Sequence, residues 1–364
     1  MRNLTTDVLV VGGGPAGLSA AAEAAAAGAS VIVAESDLHL GGQLVKQSHK
    51  FFGSKEEYAG TRGFEIAKVL KDEIAGSGAK VETLLNTTVT GYYPDENVVT
   101  AMIGEEEYLR ITPKKIIMAS GAQERLIPFP NNDLPGVYGA GAVQTLMNVY
   151  GVVPGKKVIM IGAGNIGLIV SYQLMQAGVE VAAILEAMPR IGGYWVHAAK
   201  IRRLGVPILL RHSIKRALGD RVITGAEIYE LDEKFNQAGE TETVRCDTIC
   251  LAVGLTPSSE ILWQGGCKMK YVPNLCGHVP FRDKTMRTSN EKIWVAGDVS
   301  GIEEASAAMI EGRIAGISAA KSLGRDVKSD SFDKFWKRLK DLRAGEVGEK
   351  IRAGVSEVLV DGWE

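Results

Sequence analysis

The sequence predicts an α/β protein built from two Rossmann-like, doubly wound dinucleotide-binding domains, the second inserted in the first. Three observations carry this expectation. The chain has 364 residues, enough for two domains of roughly 100–200 residues each. Glycine supplies 43 of them, about 12% where roughly 7% is usual. A set of landmarks also recurs at an offset of 150 residues: Asp7–Val11 runs into Gly12-Gly13-Gly14-Pro15-Ala16-Gly17, and Lys157–Ile161 runs into Gly162-Ala163-Gly164-Asn165-Ile166-Gly167.

Asp7–Val11 and Lys157–Ile161 are short apolar runs that stop at glycine, the pattern of buried strands. Each glycine turn leads into an Ala- or Leu-rich stretch with helical spacing, closed by Gly28 or Gly178 as a C-cap. The β-branched runs Ser30–Ala34 and Glu180–Leu185 follow and end at Glu35 and Glu186, with Gly41-Gly42 and Gly192-Gly193 a few residues later. An apolar strand running into glycine closes each repeat, Ile116–Ser120 before Gly121 and Thr248–Val253 before Gly254. Strand, tight turn, helix and strand make a βαβ unit, which is right-handed and lies in a parallel sheet. Pro128, Pro130, Pro135 and Pro154-Gly155 place an inter-domain hinge within 125–155. The first domain is expected at 1–135 and 268–324, the second at 136–267, and a helical tail at 325–364. Ile293–Ala296 is a buried-type strand expected to return to the first sheet, and Ala305–Leu323 reads as one helix. In the tail, Phe332, Phe335, Trp336, Leu339 and Leu342 share a helical face, with Lys334, Lys337, Arg338, Lys340 and Arg343 around it. Such a helix packs on its own domain, the main expectation, or docks a partner or membrane surface.

Composition excludes several function classes. Lys+Arg 41 against Asp+Glu 43 leaves a net charge of -2, with no positive excess to neutralise a nucleic-acid backbone. The longest uncharged run in the most apolar region, residues 8–22, is 15 residues, short of the ~20 that span a bilayer. Four cysteines, Cys246, Cys250, Cys267 and Cys276, are too few for a secreted disulfide scaffold and point to a reducing compartment, the cytoplasm by default. None has the C-x-x-C spacing of common zinc or iron–sulfur sites, so no metal is expected. Cys246 and Cys250, four apart in an apolar strand, read as core on one face.

The glycine turns carry the chemistry. A single G-x-G-x-x-G is weak, but here each copy follows a strand, opens a helix and has an acidic residue 18 or 19 positions after its last glycine, close to the dinucleotide fingerprint. Gly12 and Gly162 permit the tight turn. Gly14 and Gly164 let backbone approach a pyrophosphate, and Gly17 and Gly167 let helix pack on strand. The helix N-terminus offers free N–H groups and positive dipole to phosphate. Glu35 and Glu186 can each accept two hydrogen bonds from a ribose diol, and a carboxylate at 186 repels a 2′-phosphate, favouring NAD over NADP. The alternative is that the turns are purely structural and both glutamates solvated; two fingerprints in register favour nucleotide binding.

Gly12–Gly17, Glu35, Gly41-Gly42-Gln43, Ala119-Ser120-Gly121-Ala122, the second fingerprint and Val295-Ala296-Gly297-Asp298-Val299 stand in the order found in two-dinucleotide-binding flavoproteins. The chain resembles this class, that of thioredoxin reductase and the pyridine nucleotide-disulfide oxidoreductases, over residues 5–323. The resemblance implies FAD in the first domain, held by Gly12, Gly14, Pro15, Ala16, Gly17, Glu35, Ser36, Gly42, Gln43, Val89, Ser120, Gly121, Gly297 and Asp298. Glu35 would take the adenosine ribose and Asp298 the flavin ribitol, unless Asp298 is a simple N-cap. It implies NAD or another adenine nucleotide in the second, held by Gly162, Gly164, Asn165, Ile166, Gly167, Glu186 and Gly254.

Members that reduce disulfides carry a Cys pair, and this chain has no cysteine before Cys246. Ser120–Arg125, Ile127-Pro128-Phe129, Leu134–Val137, Asn148–Gly155 and Met286–Ser289 resemble segments in the α-type subunits of heteromeric amine and amino-acid oxidising enzymes: sarcosine oxidase, dye-linked proline dehydrogenase, opine oxidase and hydrogen cyanide synthase. That resemblance implies an electron-relaying flavoprotein subunit of a hetero-oligomer. The amine or amino acid would then react on a second flavoprotein chain. Two other readings are a stand-alone NADH:acceptor flavin oxidoreductase and a non-catalytic nucleotide-binding scaffold. His39, His49, His197, His212 and His278 are dispersed, and no catalytic side chain is named, because the cofactors carry hydride chemistry.

Overall fold

The first strand, Arg2–Val11, is longer than its apolar run because its polar half pairs as well, Arg2–Thr6 lying parallel to Leu109–Pro113. The strand order around it is Val81–Leu84, Val31–Ala34, Arg2–Val11, Glu107–Met118, Val98–Ile103 and Thr87–Tyr93. The members up to Glu107–Met118 are parallel; the last two add an antiparallel meander. Side-chain alternation sorts the strand onto two faces. Val8 and Val10 pack with helices Pro15–Ala26 and Ala305–Ser322, while Leu9 and Val11 pack with Leu109, Ile116 and Met118. Ile293–Val295 returns beside Ile116–Met118 in parallel register, as expected.

The structure is a computed structural model that describes every residue except Ala79, Ser329, Val347 and Glu364. Its chain divides into two units, Met1–Gln123 with Thr256–Glu364, and Glu124–Leu255. The second unit has its own parallel sheet, ordered Ile208–Leu210, Glu180–Glu186, Lys157–Ile161, Thr248–Leu251 and Val137–Gly139. Val158 and Met160 face helices Ala140–Asn148, Asn165–Gln176 and Trp195–Arg203. Ile159 and Ile161 face an antiparallel meander of His212–Gly219, Ile223–Leu231 and Gln237–Val244. The closing strands hold equivalent places in the two sheets, Met118 opposite Val11 and Leu251 opposite Ile161. Both units are thus doubly wound, the second inserted in the first.

Both unit boundaries fall about a dozen residues earlier than the expected 135/136 and 267/268. The proline segment belongs to the second unit because Phe129 is buried there and the Ala217 N–H donates to the Pro130 carbonyl. Residues 256–267 belong to the first, where Leu262 and Cys267 are buried and Gln264 Oε1 accepts from the Tyr92 N–H at 2.9 Å. The tail is also part of the first unit: Phe335 and Leu339 of helix Ser331–Leu342 enter its core, and Leu359–Val360 pairs in parallel with Arg282–Asp283. The basic residues are not all solvated around that helix. Arg343 is 7% exposed, and Arg338 Nε reaches the buried Glu57 carboxylate at 2.7 Å.

The two strand cysteines do not share a face. The strand begins at Thr248, so Cys246 lies before it and packs beside Ile214 and Ala217, whereas Cys250 packs among the helices. All four cysteines are free. Burial pushes the Cys246 thiol up to about 11 and raises those of Cys250 and Cys267 as well, so none of the three is poised as a thiolate.

Candidate functional sites

Each unit has a glycine turn built the same way. Gly12 and Gly162 both have φ +104, a conformation that side chains resist, and a Cβ on either would collide with the carbonyl of Ala119 or Ala252. A Cβ on Gly17 or Gly167 would strike the carbonyl oxygen of Gly12 or Gly162, so these glycines let the helix sit directly on the strand. In contrast, a Cβ at Gly164 would meet no atom within 4 Å, and one at Gly14 only the Gly42 Cα at 3.9 Å. Those two positions open onto free space at the start of helices Pro15–Ala26 and Asn165–Gln176, neither of which has a side-chain cap. This is the cradle a pyrophosphate requires: uncovered backbone N–H groups, positive helix dipole and no Cβ in the way. Pro15 fits the first turn of its helix because an N–H there has no intrahelical partner.

The Gly-Gly pairs lie against these turns. Gly41 N–H donates to the Gly13 carbonyl at 2.8 Å, and Gly193 N–H to the Ala163 carbonyl at 2.9 Å. A Cβ on Gly42 would come within 2.8 Å of the Gly14 Cα, and one on Gly193 within 2.8 Å of the Gly164 carbonyl carbon.

The two glutamates are also held alike. Glu35 Oε2 accepts from the Gly13 N–H at 2.6 Å and Oε1 from the Asp37 N–H at 2.8 Å, with Ser36 Oγ at 3.2 Å. Glu186 Oε2 accepts from the Ala163 N–H and Oε1 from the Met188 N–H, both at 2.9 Å. A carboxylate oxygen has two lone pairs, so Glu35 Oε2 and both Glu186 oxygens, each holding one donor, retain capacity for a ribose diol. Asn165 Oδ1 accepts from the Tyr194 N–H at 2.7 Å, tying the second turn to the loop after Gly193, while Ile166 is 38% exposed.

The remaining candidates are more spread out. Gln43 is exposed in the short 3-10 helix Gly42–Lys46. Val89 packs on the core of the meander opposite Ala101. Ser120 Oγ donates to the Ser258 carbonyl at 2.8 Å, and Gly121, with φ +70, has no atom within 4 Å of its Cβ direction. Gly254, with φ +116, accepts from the Arg125 N–H at 2.9 Å. Gly297, with φ +76, sets Asp298 at the start of the turn Gly297–Ser300, where a Cβ on Gly297 would crowd Ala16 of the first glycine turn. Asp298 is not a side-chain N-cap of the helix Ala305–Ser322, whose cap position is Glu304; its Oδ1 accepts from the Glu303 N–H at 3.3 Å. Burial, followed by the carboxylates of Glu311, Glu303 and Glu304, pushes the Asp298 carboxyl up to about 7.

Sequence reasoning missed the charges behind Asp298. Glu311, 3% exposed, accepts from the Gly297 N–H and Ser300 Oγ, each at 2.9 Å, and is paired with Arg343 Nη2 at 2.6 Å. Neither residue stands in a motif. Glu311 looks like any helical acid, and Arg343 like one more solvated tail cation.

The chain is similar to known proteins over most of its length. One of the subunits of opine oxidase from Rhizobium meliloti is 30% identical over 334 residues, 87% of this chain and 63% of that one. The alpha chain of sarcosine oxidase from Rhizobium meliloti is 30% identical over 275 residues, 72% of this chain and 26% of that one. The HcnB subunit of hydrogen cyanide synthase from Pseudomonas protegens is 26% identical over 340 residues, 88% of this chain and 71% of that one. The chain thus spans under two thirds of the first two of these relatives. Among solved structures, L-proline dehydrogenase from P. horikoshii superposes with a TM-score of 0.71 at 22% identity, covering 93% of this chain and 59% of that one. Thioredoxin reductase from T. acidophilum gives 0.71 at 22% identity, covering 88% and 99%. Among the described residues no helix is long and apolar enough to cross a membrane. The family model for pyridine nucleotide-disulphide oxidoreductases, enzymes that bind FAD and NAD(P), matches residues 6–312, and the chain belongs to that family.

Proposed function

We propose that this chain is the electron-relaying subunit of a heteromeric amine or amino-acid dehydrogenase or oxidase, with FAD at the first glycine turn and NAD or another adenine nucleotide at the second. The observation that carries this reading is the duplicated open cradle: Gly14 and Gly164 face free space while Gly12, Gly17, Gly162 and Gly167 are closed against backbone. The four free cysteines, three of them with raised thiols, argue against a disulfide substrate. The relatives' names, subunits of opine oxidase, sarcosine oxidase and hydrogen cyanide synthase, support assembly with another chain. The small amine or amino acid would react in that partner, in a reducing compartment such as the cytoplasm.

In the first unit Glu35 would take the adenosine ribose, Ser36, Gly42, Gln43, Val89, Ser120 and Gly121 would line the remainder of the FAD site, and Gly297-Asp298 would take the ribitol. In the second, Gly162–Gly167 would take the pyrophosphate, with Glu186 on the ribose and Gly254 beside it. Bound FAD supplies both two-electron and one-electron transfer, and the chain contributes position and charge.

The test is a flavin spectrum measured with and without the partner. The chain purified alone should carry or take up FAD and be reduced slowly by NADH. When it is co-purified with a second flavoprotein subunit, an amino acid such as proline or sarcosine should reduce it. Rapid bleaching by NADH without a partner would favour a stand-alone oxidoreductase, and no uptake of FAD would leave only a scaffold.

The second site gives its own prediction. A carboxylate at Glu186 repels a 2′-phosphate, so NADH should bind more tightly than NADPH. Glu186→Ala should narrow that preference by about tenfold, roughly the 1–2 kcal/mol of a charged contact at a partly exposed site. Paired titrations by calorimetry check it, and an unchanged ratio would remove Glu186 from the ribose.

A further inference from the structure

The buried charges behind Asp298 join the C-terminal tail to the first nucleotide site. Glu311 comes from helix Ala305–Ser322, and its two oxygens face opposite ways. Oε2 accepts from the Gly297 N–H and from Ser300 Oγ, each at 2.9 Å, and so holds both ends of the turn that carries Asp298. Oε1 receives Arg343 Nη2 at 2.6 Å and lies 3.8 Å from Arg282 Nη2. Arg343 follows helix Ser331–Leu342 and also forks onto Glu303, with Nε 3.0 Å from both carboxylate oxygens and Nη2 2.6 Å from Oε2. Its own carbonyl accepts from the Arg352 guanidinium, which also reaches the Gly345 carbonyl at 2.8 Å, so the segment presenting Arg343 is itself tied down.

An arrangement like this is costly unless complete. Burial alone would raise Glu311, yet the Arg343 and Arg282 guanidinium groups hold its carboxyl below the usual range. Without Arg343, the buried Glu311 and half-buried Glu303 carboxylates would stand beside Asp298 with, among the described residues, the more distant Arg282 to offset Glu311. Like charges in a low-dielectric site cannot all remain ionised. Glu311 would take up a proton or turn away, releasing the Gly297 N–H.

We propose that Arg343 is a positioning residue of the first nucleotide site: by fixing the Glu311 carboxylate it sets the Gly297–Ser300 turn and hence the place of Asp298. The inference rests on the reading of that turn as part of an FAD site. It makes Arg343 a support of the cofactor site, although it lies outside the dinucleotide motifs.

The experiment compares five proteins, wild type, Arg343→Met, Arg343→Lys, Glu311→Gln and Arg338→Ala, each stripped of flavin and titrated with FAD. The flavin visible spectrum and midpoint potential are then recorded on the reconstituted forms. Arg343→Met and Glu311→Gln should weaken FAD binding about tenfold, the loss of one charge-assisted hydrogen bond, and should shift spectrum and potential in the same direction. Arg343→Lys should recover part of both. Arg338→Ala removes a separate ionic anchor of the tail helix, to Glu57, and should behave as wild type. Wild-type affinity and potential in Arg343→Met overturn the proposal, and so does an Arg338→Ala protein that loses as much as Arg343→Met, since the tail would then act by docking alone. If Arg343→Met does not fold, Glu311→Gln and Arg343→Lys decide, and wild-type values in both overturn it. A wild-type protein that never binds FAD instead removes the FAD reading itself.

Discussion

A Gly17→Ala protein should purify without flavin. The added Cβ would overlap the Gly12 carbonyl oxygen, a backbone atom that cannot move aside without opening the strand-to-helix turn. The helix Pro15–Ala26 must therefore lift off the strand, and its first-turn N–H groups move away from the phosphate position. Over-packing of this kind costs about 1–3 kcal/mol of stability. The loss of several aligned N–H contacts to a phosphate should weaken FAD by a further factor of about 100 or more. The measurement is the flavin-to-protein absorbance ratio after gel filtration, followed by titration with free FAD. Gly76→Ala is the control, because a Cβ there meets no atom within 4 Å and the residue has no positive φ. Full occupancy in Gly17→Ala would mean that the turn does not hold the cofactor. The corresponding Gly167→Ala change, against the Gly162 carbonyl, should leave flavin in place and abolish nucleotide binding in the second unit.

The second large effect is a pH dependence that Asp298→Asn should erase. The Asp298 carboxyl is pushed from an ordinary 3.8 up to about 7 in the folded chain. A carboxyl whose pKa is raised by folding binds its proton more tightly in the folded state, so its contribution is fully present below about pH 4 and declines as pH rises. The decline ends once the pH has passed through about 7. About three pH units at 1.36 kcal/mol each make this on the order of 4 kcal/mol for the flavin-free protein. Denaturant unfolding at several pH values should show Asp298→Asn gaining on wild type from pH 4 to 7, with a constant difference above. A difference that does not vary with pH would mean that Asp298 is ionised throughout.

Much of the site can be read in the sequence because the backbone imposes it. Gly12, Gly17, Gly162 and Gly167 are demanded by a collision between a Cβ and a carbonyl a few residues away or on the adjacent strand, and such local demands recur wherever the same turn is made. Glu35 and Glu186 are legible for a related reason, since a strand ending beside a glycine turn delivers its last side chain to that turn's N–H groups. The closing strands were legible from their apolar runs into glycine. The unit boundaries were not, because prolines mark where a chain turns rather than the core in which Phe129 or Leu262 becomes buried. Cys246 shows the same limit: a spacing of four gives one face only if the strand includes both residues, and this strand starts two residues later.

The sequence by itself determined the duplicated strand–turn–helix scaffold, the two acidic ends and the lack of any cysteine before Cys246. These rest on contacts between near neighbours or on composition, and periodicity and residue type encode both. Only the tertiary structure decided that Glu311 holds Gly297 and that Arg343 neutralises Glu311, 32 residues further along the chain. Nothing local requires an arginine at position 343. Its partner is selected by burial, which makes an unpaired charge costly only after distant segments have folded together.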